Sequence, residues 1–131
     1  MTTRHYFMYH SLLSPDADVE CVPAIVKGAR QFNATHGICG VLVFDGQRFF
    51  QYMEGPSGVI ADLIIRLSKD TRHTHFTPML HAELEGDGLF QAWSMGYAYA
   101  DEGDQLSELV ALKGASALAY LRQMVRQLDM A

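Results

Sequence analysis

Residues 38–56 read ICGVLVFDGQRFFQYMEGP, and they decide the fold. Two apolar runs flank Asp45-Gly46, a dipeptide whose easy access to positive φ marks the tight turn of a β-hairpin. In the second run, alternation puts Phe49, Gln51 and Met53 on one face and Phe50, Tyr52 and Glu54 on the other. Gly55-Pro56 stops that strand, and Pro56 suits the first position of a helix. Gln51 is the anomaly. A primary amide beside two apolar side chains must find hydrogen-bond partners, since burial without them costs roughly 1–3 kcal/mol. Satisfaction by backbone or water near a sheet edge is the plain account of such a residue.

Upstream, residues 5–12 (HYFMYHSL) alternate as a strand, with Tyr6, Met8 and His10 on one face and Phe7, Tyr9 and Ser11 on the other. A turn over 13–18 (LSPDAD) carries acids suited to a helix N-terminus. The helix that follows sets Val22, Ile25, Val26 and Ala29 in one stripe and confines Pro23 to its first turn. Its expected end is Asn33, with Gly37 beyond. Downstream of the hairpin, Val59, Ile60, Leu63, Ile64 and Leu67 form the apolar face of a second helix. Asp62, Arg66 and Asp70 stand at i, i+4 on another face, a surface ladder worth a few tenths of a kcal/mol per pair. Residues 70–75 (DTRHTH) read as a loop and 76–84 (FTPMLHAEL) as a strand, with Pro78 pointing to a sheet edge. A turn (EGDG) precedes 89–100 (LFQAWSMGYAYA), a last strand with Gln91, Trp93, Met95 and Tyr97 on one face. A short apolar-rich segment from Leu106 to Leu112 leads to a terminal amphipathic helix carrying Leu118, Leu121, Met124, Val125 and Leu128. The order β-α-β-β-α-β-β plus C-terminal helices predicts an α+β, ferredoxin-like sandwich with both main helices on one face of the sheet. The terminal stripe either caps the free face of that sheet or forms a dimer contact.

The chain has 131 residues, 49% of them hydrophobic and 19% charged, which bounds it to one domain with a real core. Its net charge of −5 and scattered basic residues argue against nucleic acid. The aromatic RNP1 pattern of RNA-binding relatives of this fold is missing. No glycine-rich loop follows the first strand, so the phosphate cradle of a small hydrolase is missing too. Cys21 and Cys39 make no zinc spacing, and a reducing cytoplasmic setting is the simpler account of them. The N-terminus has no apolar signal region, and no run approaches the roughly 18 apolar residues of a membrane span. His73 and His75, at i, i+2 in a polar stretch, read as solvated side chains rather than metal ligands.

Three polar residues remain: Tyr9 on the first strand, Asn33 on the first helix and Gln51 on the third strand. They can converge at one end of the sheet, among Ile25, Phe49, Met53 and Met95. A mostly apolar pocket with a few convergent hydrogen-bonding groups is how small-molecule and cofactor sites look. With no thiol or carboxylate evident there, the set suits binding a flat heteroaromatic better than acid–base turnover.

From Tyr6 to Tyr97 the chain resembles the BLUF domain, a blue-light sensor that uses flavin. The resemblance rests on an ordered set of motifs: YHS (9–11), NATHGICGVLVFDGQRFFQYMEGP (33–56), DTRH (70–73) and WSMG (93–96). It implies FAD as the cofactor, with FMN the alternative, and a photoreceptor rather than an enzyme. It implies that Tyr9 donates an electron and a proton to the excited flavin, and that Gln51, between Tyr9 and the ring, is the switch. Asn33 would bond the pyrimidine side of the ring, and Arg66 and Asp70 would hold the flavin from the second helix. Ile25 and Phe49 would line the site. Ser11 matches a serine that can bond the tryptophan ring nitrogen. Trp93 and Met95 match the last-strand pair linked to output. Phe32 falls where the family varies between polar and aromatic residues. The resemblance also implies residues 1–100 as the flavin domain, 101–131 as a helical extension, a homo-oligomer, and output to a separate signalling protein.

Overall fold

The computed structural model describes residues 3–86, 88, 94–100, 104–112 and 115–127. Nine elements run in the order β1 (Arg4–Leu13), α1 (Cys21–His36), β2 (Cys39–Phe44), β3 (Arg48–Pro56), α2 (Ser57–Lys69), β4 (His73–Glu83), β5 (Gly96–Tyr99), α3 (Asp104–Ala111) and α4 (Ala115–Gln127). The five strands form one sheet in the order β4-β1-β3-β2-β5. The hairpin forms as its sequence dictates. Gly46 takes φ 99°, and the Asp45 carboxylate accepts from the backbone N–H groups of Gln47 (3.0 Å) and Arg48 (2.6 Å). β2 and β3 pair antiparallel from Cys39↔Glu54 to Phe44↔Phe49.

The two faces of the sheet divide the core as alternation requires. On one, α1 packs Val22 and Val26 onto Leu42, Phe44, Phe49 and Met95, while α2 packs Ile60, Val59 and Leu63 against Phe7, Tyr9 and Met53. On the other, Leu109, Ala117, Leu121 and Met124 of α3 and α4 cover Met8, Val41, Val43, Phe50 and Tyr52. This is the ferredoxin-like sandwich with both main helices on one face. The inward part of the terminal stripe, Leu121 and Met124, caps the opposite face, and Leu128 lies outside the described residues.

Five expectations need correction. α1 does not end at Asn33; it runs to His36 and stops at Gly37, whose left-handed φ of 72° lets its N–H bond the Asn33 carbonyl. The stop is a backbone property that glycine supplies, not a side-chain one. Pro56 is the residue capping α2 in extended conformation rather than its first turn. Residues 73–75 are not loop: β4 begins at His73, paired with Leu13. A register shift between His10 and Leu12, with His75 at φ 55°, breaks the alternation that would have announced it. Arg66 and Asp70 do not pair. Asp70 caps α2 in extended conformation and its carboxylate holds Arg72 at 2.7 Å. Lastly, among the described residues of 89–100 the last strand covers Gly96–Tyr99 alone, after bends at Ser94 and Met95, and it lies parallel to β2 at the edge, because the chain crosses from one sheet edge to the other after β4. Gln91 and Trp93 fall outside the described residues.

Candidate functional site

Between α1 and α2, above the middle of the sheet, lies a cavity of about 560 Å³. Tyr9, Ile25, Asn33, Phe49, Gln51, Arg66 and Asp70 all line it. Register builds its floor. β3 is a central strand, and Tyr9 of β1 stands directly opposite Gln51. The Tyr9 hydroxyl donates to Gln51 Oε1 at 2.5 Å, and both residues are buried. Gln51 is therefore no edge residue satisfied by water. Its acceptor end is taken by the phenol, and among the described residues its Nε2 hydrogens have no protein partner.

Burial pushes the Tyr9 phenol well above its ordinary pKa, the Asp70 charge adds to that, and Arg72 opposes it. The ring is packed by Phe76 at 4.8 Å and by Phe7 at 5.8 Å between centroids. On the wall, buried Asn33 uses Nδ2 to bond the Ser94 carbonyl at 2.6 Å, leaving Oδ1 as an acceptor. Arg66 lies over the Phe32 ring, 4.8 Å from its centroid, and Phe32 in turn stacks on His36 at 4.0 Å. Arg66, Lys69 and Arg72 line the cavity with Asp70 as the one carboxylate, an excess of positive charge that suits phosphate. The Arg72 hydrogen bond holds the Asp70 carboxyl below the usual range despite partial burial.

Sequence reasoning missed three polar cavity residues, Lys69, Arg72 and His73. His73 is half-buried, with Nε2 2.6 Å from the Leu67 carbonyl and Nδ1 2.7 Å from Ser11 Oγ. A carbonyl only accepts, so Nε2 carries the hydrogen and the Ser11 hydroxyl donates to Nδ1. Ser11 thus ties β1 to β4 through His73, and Trp93 lies outside the described residues. Met95, just before β5, is buried against α1. The DTRH motif was the available signal for His73, and only the partners from other elements explain it. A second cavity of about 570 Å³ is lined mainly by apolar residues such as Val22, Val26, Phe44 and Tyr97, with Lys27, Arg30 and Gln31 beside them, and holds none of the candidate site residues.

A flavin ring carries an N–H donor between carbonyl acceptors and a ring nitrogen. The cavity offers the matching set: Nε2 donors from Gln51, an Oδ1 acceptor from Asn33, apolar walls from Ile25, Phe49 and Met53, and cations for phosphate. The residues present fit that group.

Comparisons with known proteins agree. The chain is 29% identical over 73 residues to the blue light- and temperature-regulated antirepressor BluF of Escherichia coli, covering 56% of this chain. It spans only 18% of that relative's length. In fold it is similar to the dark-state structure of BlrB, a BLUF protein, with a TM-score of 0.81, 24% identity, and 95% of this chain and 96% of that one covered. It is also similar to Klebsiella pneumoniae BlrP1 with FMN and cyclic diGMP, with a TM-score of 0.67, 25% identity, and 84% and 30% of the two chains covered. A family model described as sensors of blue-light using FAD matches residues 5–96, and with that match on this fold the chain belongs to the BLUF family.

Proposed function

We propose that this chain is a blue-light photoreceptor that holds an oxidised flavin non-covalently in the cavity between α1 and α2. The observation that carries the reading is the Tyr9–Gln51 hydrogen bond on the cavity floor, with both residues lining the cavity. When bound, the flavin supplies blue-light absorption and, once excited, a strong one-electron oxidant. Tyr9, on the cavity floor, is the proposed donor. A buried phenol with a raised pKa does not ionise first, so the proton leaves with the electron or after it. Gln51 Oε1, at 2.5 Å, is the acceptor set to receive the proton. When electron and proton return to Tyr9, Gln51 is left in its other hydrogen-bond arrangement. An amide has a donor end and an acceptor end, which exchange on rotation or tautomerisation without change in charge. In the new arrangement Gln51 would donate a stronger hydrogen bond to a bound flavin, which would shift its absorption slightly to the red.

The chain carries out no turnover of its own in this reading. FAD is the proposed flavin; FMN, named with the similar BlrP1, fits the same ring site. Asn33 holds the pyrimidine edge and Arg66 the phosphate side, with Asp70 positioning Arg72 at the mouth. The last strand, through Met95 and Trp93, passes the switch to the C-terminal helices and on to a separate signalling protein. A homo-oligomer and a cytoplasmic setting belong to the same proposal.

The test is an absorption spectrum in the dark and after blue light, on the wild type and Gln51→Leu. The expected result is a flavin spectrum that shifts red in the wild type, recovers in the dark, and stays fixed in the variant. Bound flavin with no wild-type shift would remove the switch role from Tyr9 and Gln51. A colourless protein that takes up no flavin would leave a plain ferredoxin-like interaction module.

A further inference from the structure

Two donors on one face of α1 hold two consecutive carbonyls just ahead of β5. Asn33 Nδ2 bonds the Ser94 carbonyl at 2.6 Å, and Arg30 Nε bonds the Met95 carbonyl at 2.9 Å. Arg30 and Asn33 stand at i, i+3, so one helix turn supplies both. What they hold is weakly fixed otherwise. β5 is four residues long and, among the described residues, pairs with β2 alone and forms the sheet edge. Beyond it, the Ala100 N–H bonds the Phe44 carbonyl at 2.9 Å.

The two donors differ in kind. Asn33 lines the Tyr9–Gln51 cavity, so its amide is shared between that cavity and Ser94. Any change in what the cavity asks of Asn33 is felt at the Ser94 carbonyl. Arg30 lies outside the lining of that cavity, and its guanidinium is a charged, planar donor. Its bond to Met95 is charge-assisted and independent of the chromophore. Met95 itself is buried against Val22 and Val26 of the same helix.

We propose that Arg30 is a positioning residue of the light output: by fixing the Met95 carbonyl to α1, it sets the dark position of β5, against which a change at Asn33 and Gln51 registers. This rests on the photoreceptor reading. A strand entry held at one carbonyl and loosened at the next can move by a small, defined step. Without Arg30 the Met95 carbonyl loses its anchor, only the Asn33 bond to Ser94 remains, and β5 is loosened before any light arrives.

The experiment is hydrogen–deuterium exchange over residues 96–100 of the full flavin-loaded chain, in the dark and under continuous blue light, beside the absorption spectrum. The variants are Arg30→Met, Arg30→Lys and, as control, Lys27→Met one turn earlier on α1. In the wild type, light is expected to speed exchange in this segment several-fold. Arg30→Met keeps the red shift, but its dark exchange rises about tenfold or more, the loss expected for a charge-assisted hydrogen bond, and the light–dark difference collapses. Arg30→Lys keeps a cation without the guanidinium fork and gives an intermediate dark rate; it serves the same comparison if Arg30→Met does not fold. Lys27→Met behaves as wild type. An Arg30→Met protein with the wild-type dark rate and the wild-type light–dark difference overturns the proposal. A wild type with bound flavin and no red shift overturns the switch itself, and the output role of Arg30 falls with it. The spectrum and the exchange rates therefore separate the two failures.

Discussion

Tyr9 and Gln51 meet because β1 and β3 are adjacent and in a register that sets them opposite each other. The phenol's raised pKa has a consequence for stability as well as photochemistry. Its charged form is disfavoured in the fold, so the native state keeps a proton that the unfolded chain gives up near pH 10. The contribution is fully present below that pH and is lost as pH climbs towards the folded pKa. Above pH 10 each such phenol adds a slope of about −1.4 kcal/mol per pH unit to unfolding stability. Tyr52, raised by burial and by Glu54, adds its own. Tyr9→Phe is therefore expected to remove about one phenol's worth of that slope between pH 10 and 11.5, measured by urea unfolding. The background from lysines is shared by the two proteins, so their difference isolates Tyr9; equal slopes would mean the phenol is not shielded as the packing implies. The faces of Tyr9 and Gln51 were legible from alternation alone. Their contact was not, because register between strands 42 residues apart is set by the whole sheet. His73 was misread for the same reason: its partners, Ser11 and the Leu67 carbonyl, come from two other elements.

At the scale of elements, the hairpin is where local sequence and tertiary packing agree most closely, and its glycines mark where they are least forgiving. A Cβ on Gly40 would lie 2.2 Å from the Tyr52 carbonyl oxygen, a backbone atom inside the β2–β3 ladder. A Cβ on Gly55 would lie 2.3 Å from Ile38 Cδ1, the end of a flexible side chain. Gly40→Ala must spread two paired strands, whereas Gly55→Ala asks one methyl to rotate and the Gly37 carbonyl oxygen, 3.2 Å from the new Cβ, to give by a few tenths of an ångström. The expected losses are about 3 kcal/mol or more for Gly40→Ala and about 1 kcal/mol for Gly55→Ala, read from urea midpoints. Equal midpoints would mean that the ladder yields as readily as the side chain. Elements with local signals, such as the Asp45-Gly46 turn and the apolar face of α2, could be read from sequence. The start of β4 could not, since its bulge hides the alternation; β5 falls within the strand read over 89–100, but its parallel pairing with β2 has no local signature.

The whole molecule is a sheet with different work on its two faces. The α1–α2 face carries the cavity; the α3–α4 face carries a purely packed layer in which Met8, Val43, Phe50, Tyr52, Leu109 and Leu121 have no measurable exposure. A change on the second face should therefore lower stability without altering the ligand's surroundings. Leu121→Ala deletes the centre of the α4 contact and is expected to cost about 2–5 kcal/mol, with the spread set by how far α4 can settle into the gap. That is a large share of the roughly 5–15 kcal/mol typical of a domain this size. In native buffer the dark flavin spectrum should nonetheless match that of the wild type, because Gln51 and Asn33 point to the opposite face and every residue lining the cavity lies on β1, α1, β2, β3, α2, β4 or the α2–β4 turn. Unfolding midpoint and spectrum together check this. A lower midpoint with an unchanged dark spectrum means the two faces act separately in the dark, so that light must move a strand shared by both layers to reach α3 and α4. A changed dark spectrum would mean the cap already reaches through the sheet to the cavity, and output would need no strand displacement.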